Sequence, residues 1–203
     1  MKLSHMIYGG LVMAAAALGW FGMKAKAAES PAETLRLLRA GGFTIHFRHA
    51  PTDFSQSEVP GSADTDCAGQ RNLSPAGRDL ARAIGSAIAA SKIPVGEVRA
   101  GPLCRTMETA RLIFGRAISD PDVRGGGLGK SDYPGLRRLL SKPVSPGTNN
   151  VLVGHGAQFQ TVSGTGELAQ GDAAVVQSLG DGKFTIVAIV RPADWTAMGA
   201  LNR

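Results

Sequence analysis

The sequence predicts an α/β fold, a three-layer α/β/α sandwich around a mostly parallel central sheet. Extended and helical patterns alternate along the chain, which requires a sheet covered on both faces. The run Val151-Leu152-Val153 is continuously apolar, as expected of a strand buried on both sides. Strand-like runs at 43–47, 95–100 and 151–153 are each followed by Gly or Pro before a helical pattern resumes. No internal repeat is evident.

The chain has 203 residues, 43% hydrophobic and 19% charged, enough for one domain with a sizeable core. Its first residues read differently. Lys2 and His5 precede an apolar stretch over 7–23, and the small-x-small pattern Ala25-Lys26-Ala27 follows. That order predicts a secretory signal peptide over 1–27, cut after Ala27, with residues 28–203 as a single domain. An uncleaved membrane anchor is the alternative, because the apolar run is long for a signal core and short for a span. The expected location is the periplasm or the exterior, with no membrane span after cleavage. Cleavage would remove Lys2, Lys24 and Lys26 and no acid, lowering the formal charge from +6 to +3. No Lys/Arg block is interleaved with aromatics, so a nucleic-acid partner is not expected. A mild positive field suits a small anionic substrate. Cys67 and Cys104 are candidates for a disulfide in an exported protein, and metal-ligand spacings such as CxxC are absent.

Ser30-Pro31-Ala32-Glu33 predicts a helix start: a capping Ser, Pro at the first helical position and Glu three after the cap. Leu35, Leu37 and Leu38 supply its apolar face, and Gly41-Gly42 ends it. The alternating run Phe43-Thr44-Ile45-His46-Phe47 then leads to Arg48-His49, and Pro51 stops the strand. Alternation puts His46 on the opposite face from Ile45 and Phe47, so it reads as structural. Residues 50–72 are polar and aperiodic, a loop long enough to form one wall of a site. Ser74-Pro75 opens a second helix with Leu80, Ile84, Ala87 and Ile88 at helical spacing, running to about Ser91. A strand over 95–100 passes through Gly101-Pro102-Leu103 into a third helix over 104–110. Residues 115–134, rich in Gly, Asp and Pro, read as a flexible surface loop. A short helix follows over 134–141. The strand at 151–153 ends in Gly154-His155-Gly156, and 157–162 begins another helix. Runs at 173–178 and 184–190 predict two strands joined by the Gly-Asp-Gly turn at 180–182.

Parallel strands place their carboxyl ends along one edge, where α/β proteins bind ligands. Arg48-His49, Arg105 just past its turn, and His155 would therefore converge on one crevice. Arg105 also lies near a helix amino end, where free N–H groups favour an anion. Guanidiniums grip oxyanions at two points, and an imidazole can attack phosphorus to form a phosphohistidine. Phosphoryl transfer needs charge neutralised on three equatorial oxygens and a nucleophile held in line.

At this point the chain resembles a known family. Strand–Arg48-His49, Leu73-Ser74-Pro75-Ala76-Gly77, Gly101-Pro102-Leu103-Cys104-Arg105-Thr106-Met107-Glu108-Thr109-Ala110 and Val151-Leu152-Val153-Gly154-His155-Gly156 occur in the order of the histidine phosphatase (phosphoglycerate mutase-like) superfamily. The likeness spans about 42–190. It implies a phosphoglycerate mutase-like sandwich and a metal-independent phosphatase without cofactors, acting on a small phosphorylated substrate. His49 would be the phosphorylated nucleophile, Arg48 and Arg105 the phosphate clamp, and His155 a second imidazole on the phosphoryl oxygens. Two departures stand out: Ala50 replaces the usual Gly after the nucleophile, and Gly101 a common Ser.

The proton donor is open. The phytase-like branch carries Asp directly after the second His, and this chain has Gly156. The segment between the third helix and the last catalytic strand offers Asp120, Asp122 and Asp132 but no Glu. Asp53 and Asp172 are the other candidates for general acid. A site with no dedicated acid, suited to phosphohistidine, and a non-catalytic phosphate-binding module are the alternatives. A metal site on His46, His49 and His155 is disfavoured, since no carboxylate stands at helical spacing from any His and two Arg would repel a dication. A mutase is disfavoured by export and by the short insertion.

Overall fold

The computed structural model describes residue 28 and residues 30–124 and 132–201. The predicted signal peptide over 1–27 lies outside the described residues.

Among the described residues six strands form one sheet, β1 (Phe43–Arg48), β2 (Val95–Ala100), β3 (Ile118–Ser119), β4 (Asn149–Gly154), β5 (Ala173–Gly180) and β6 (Lys183–Val190), in the order β3-β2-β4-β1-β5-β6. β3, β2, β4 and β1 run parallel, while β5 pairs antiparallel with both β1 and β6. The sheet is therefore mostly parallel, as expected. Helices α1 (Pro31–Ala40), α2 (Pro75–Ala90), α3 (Cys104–Phe114) and α6 (Pro192–Ala200) cover one face. On that side Phe43, Ile45 and Phe47 of β1 pack with Leu38, Ile84, Ile113 and Trp195. Helices α4 (Pro134–Ser141) and α5 (Gly156–Ser163) cover the other face, where Leu136, Leu140 and Phe159 meet Leu152, Ala174 and Val176. No helix among the described residues is long and apolar enough to cross a membrane.

The helix caps follow the sequence signals. Ser30 Oγ accepts from Glu33 N at 3.2 Å, and Ser74 Oγ accepts from Gly77 N at 3.0 Å. Gly41 and Gly115 end α1 and α3 at positive φ, which glycine adopts without steric cost. Between 115 and 124 the expected loop is partly ordered instead: β3 extends the sheet, a 3₁₀ turn spans Pro121–Val123, and Val123 is wholly buried. Residues 125–131 of that loop lie outside the described residues. The sequence reading also missed α6. Its segment carries only two large apolar residues, too few for a periodic signal, yet Trp195 stacks on Phe47 with ring centroids 5.5 Å apart.

Gly77 fixes how α2 leaves the sheet edge. A Cβ there would stand 2.0 Å from the Pro51 carbonyl oxygen, which also accepts from Ser74 N at 3.0 Å. The helix start is clasped to the backbone just after His49. Gly77→Ala is expected to lower stability by about 1–3 kcal/mol, the usual cost of overpacking, despite alanine's better helix propensity. Urea unfolding measures this, and an unchanged midpoint would contradict the clasp.

Candidate active site

Register brings the strand-end residues together. β1 and β4 pair from Phe43↔Asn149 to Arg48↔Gly154, so both strands finish at one level. The next residue on each is a histidine, and His49 N donates to the Gly154 carbonyl at 3.0 Å. The two imidazoles stand 5.1 Å apart between centroids, inclined by 69°. β2 ends alongside at Ala100↔Val153, and α3 begins within the next turn. Arg105, in its first turn, reaches across to donate from Nε to His155 Nε2 at 3.2 Å.

These contacts assign the protons. The Ala50 carbonyl can only accept, so the 2.9 Å contact to His49 Nδ1 places hydrogen on Nδ1 and leaves Nε2 with a free lone pair. His155 accepts at Nε2 and therefore carries hydrogen on Nδ1, which is buried with no hydrogen-bond partner among the described residues. Ala50 is held in turn by Thr109, whose hydroxyl accepts from Ala50 N at 3.0 Å and donates to the Arg105 carbonyl at 2.7 Å.

Electrostatics keep both rings neutral. Burial draws the His49 pKa down to about 4, and the positive charges of Arg105, Arg48 and Arg71 act the same way against the Ala50 bond. Burial also pushes His155 well below the ordinary histidine value, assisted by His49, Arg105 and Arg48. Burial lowers the Arg105 guanidinium from its usual value, and Glu58 opposes the shift. Neutral imidazoles beside guanidiniums are an arrangement that can hold a multiply charged anion.

His46 stands apart from this group. It is fully buried on the α5 side, stacked on Phe159 with centroids 4.6 Å apart. The three histidines of the metal alternative do not converge, and no group of three His, Cys, Asp or Glu among the described residues is placed to hold a metal.

The expected acids are placed otherwise. Asp53 is a turn former: its carboxylate accepts from Ser55 N at 3.0 Å, Ser55 Oγ at 2.7 Å and Gln56 Nε2 at 3.3 Å. The Ser55 bonds hold its pKa below the usual carboxylate value, the wrong direction for a proton donor. Asp172 sits behind Arg48, whose N–H it accepts through its backbone at 3.0 Å, and its carboxylate accepts from Ala169 N at 3.2 Å. Burial raises its pKa. Asp120 pairs with Arg99 at 2.7 Å, Asp122 pairs with Arg138, and Asp132 is exposed.

Two carboxylates that sequence reasoning missed lie against the site's guanidiniums. Glu58, from the loop after β1, lies 2.7 Å from Arg105 Nη1, and Glu167, between α5 and β5, lies 2.8 Å from Arg48 Nη1. Gly156 makes room for the second: a Cβ there would stand 2.7 Å from Glu167 Cγ and Oε1. Neither Glu has a sequence signal beyond being an acid in a polar loop. Arg71 was also missed; it couples to His49 and Arg105 and lies 4.8 Å over the Phe54 ring.

Cys67 and Cys104 form a disulfide with Cα atoms 5.6 Å apart. Cys104 immediately precedes Arg105, so the bond ties the loop carrying Glu58 to the amino end of α3. Gln70 Oε1 adds a second tie, accepting from Cys104 N at 2.9 Å.

No family model matches the chain, and no curated protein matches it in sequence. Solved structures match its architecture. The protein histidine phosphatase SixA complexed with tungstate superposes with a TM-score of 0.54 at 16% identity, over 75% of this chain and 98% of that one. The chain has the histidine phosphatase fold. A mutant phosphoserine phosphatase from Entamoeba histolytica in complex with phosphoserine gives a TM-score of 0.53 at 14% identity, over 75% of this chain and 98% of that one. The mycobacterial glucosyl-3-phosphoglycerate phosphatase complexed with VO3 gives 0.55 at 16% identity, over 74% of this chain and 100% of that one. In this histidine phosphatase fold, Arg105 bonds His155, the His49 ring stands beside His155, and Arg48 Nη1 lies beside the position a side chain at Gly156 would take.

Proposed function

We propose that the chain is an exported phosphomonoester hydrolase working through a phosphohistidine on His49. The observation that carries this reading is the His49 ring: neutral, tied at Nδ1 to the Ala50 carbonyl, and free at Nε2 among Arg48, Arg105 and His155. Nε2 attacks phosphorus. Arg48 and Arg105 neutralise the equatorial oxygens, and the unpartnered His155 Nδ1–H donates to one of them. The positive charge that develops on the phosphorylated ring is shared with the Ala50 carbonyl through Nδ1–H. Water then hydrolyses the P–N bond. No step calls for a metal or cofactor, and the substrate is a small phosphorylated molecule.

Export is supported by the charged-apolar-small pattern of 1–27 and by the disulfide, which persists in oxidising compartments.

The test is a rapid quench with a ³²P-labelled phosphomonoester in the presence of EDTA. Acid-labile, base-stable label is expected on His49, with turnover unaffected by the chelator. Label on another residue would sink the mechanism, and loss of turnover to EDTA would point to a metal.

A further inference from the structure

The clamp residue Arg48 is engaged twice by one segment. Its Nη1 donates to the Leu168 carbonyl at 2.6 Å and lies 2.8 Å from Glu167 Oε1. Leu168 is buried in the core on the α5 side, so the segment is anchored rather than loose. The Glu167 carboxylate occupies the space beside Gly156 into which a side chain adjoining His155 would project. It is 43% exposed, at the open edge of a site whose floor is buried His49 and Arg105.

We propose that Glu167 is the proton donor to the leaving group, which makes the site one for phosphate esters of ordinary alcohols. The inference rests on the phosphohistidine reading above. An arriving phosphate takes over Arg48 and frees the Glu167 carboxyl from its ion pair, so the carboxyl meets the leaving oxygen as the acid. As His49 Nε2 attacks phosphorus, the P–O bond to the alcohol breaks and the departing oxygen takes that proton. In the second step the carboxylate accepts a proton from water as the water oxygen attacks phosphorus. The P–N bond breaks, its electron pair returns to Nε2, and phosphate is released. Glu58 holds the matching place on Arg105 but is 51% exposed and belongs to the loop after β1.

The test compares glycerol 2-phosphate, whose alkoxide needs a proton, with 4-nitrophenyl phosphate, whose phenolate leaves without one. Glu167→Gln is expected to lower kcat on the alkyl ester by about 100-fold or more, the usual span of general acid catalysis. On the aryl ester the loss stays below about tenfold, because a good leaving group needs little of that catalysis. Equal losses on both esters, no loss on the alkyl ester, or a selective loss in Glu58→Gln instead would overturn the assignment. Those results leave the phosphohistidine reading standing if ³²P still labels His49. Wild-type protein that hydrolyses neither ester overturns both.

Discussion

His49→Ala is expected to abolish turnover, with kcat falling on the order of 10⁴–10⁶-fold as when a covalent nucleophile is removed elsewhere. The loss should be that large because no second group among the described residues is placed to do its work. His155 spends Nε2 on Arg105 and presents a hydrogen at Nδ1, so neither nitrogen offers a lone pair. His46 is enclosed against Phe159 on the far side of β4's end. Phosphate binding, by contrast, should survive, since Arg48 and Arg105 remain. The measurement is kcat on a chromogenic ester together with a phosphate-binding isotherm. A variant within tenfold of wild type would remove His49 from the chemistry.

Acid lability is the second large effect expected. His46 is fully buried, neither ring nitrogen is hydrogen-bonded among the described residues, and burial holds its pKa at about 3, only partly offset by the nearby His155 backbone. Above the ordinary histidine value of 6.5, folded and unfolded chains carry the same neutral ring. Below it only the unfolded chain takes the proton, so stability falls as pH falls from 6.5 towards 3. At about 1.4 kcal/mol per unit, His46 alone withdraws about 2 kcal/mol by pH 5 and roughly 4–5 kcal/mol by pH 3. His49 acts with the same sign down to about pH 4. His46→Phe keeps the stack on Phe159 and removes the titration. Urea unfolding at pH 7 and pH 5 should show the variant losing about 2 kcal/mol less than wild type over that interval. Identical pH dependence in the two proteins would refute the assignment, whatever their absolute stabilities.

Much of the architecture was legible because it is written locally. Ser30, Pro31 and Glu33 cap α1 by short-range hydrogen bonds, and the apolar run at 151–153 specifies a doubly buried strand. Alternation placed His46 on the face away from Ile45 and Phe47, and it packs there. Helix α6 escaped notice because its stability comes from Trp195 inserting against Phe47, a contact between distant parts of the chain. The surroundings of the acids were equally illegible, for the same reason. Asp53 looked available in a polar loop, but its role is decided by Ser55 and Gln56 folding around it. Glu58 and Glu167 carry no pattern at all, and only the folded chain sets them on Arg105 and Arg48.

The sequence by itself determined the strand–helix order apart from β3 and α6, and the residue types at three strand ends, because periodicity, caps and turn residues act over a few positions. Tertiary structure decided the rest: the β1–β4 register that sets His49 beside His155, the disulfide that pins the Glu58 loop to α3, and the space at Gly156 that Glu167 fills. Each of these depends on which distant segments pack together, and side-chain type alone does not encode that distance.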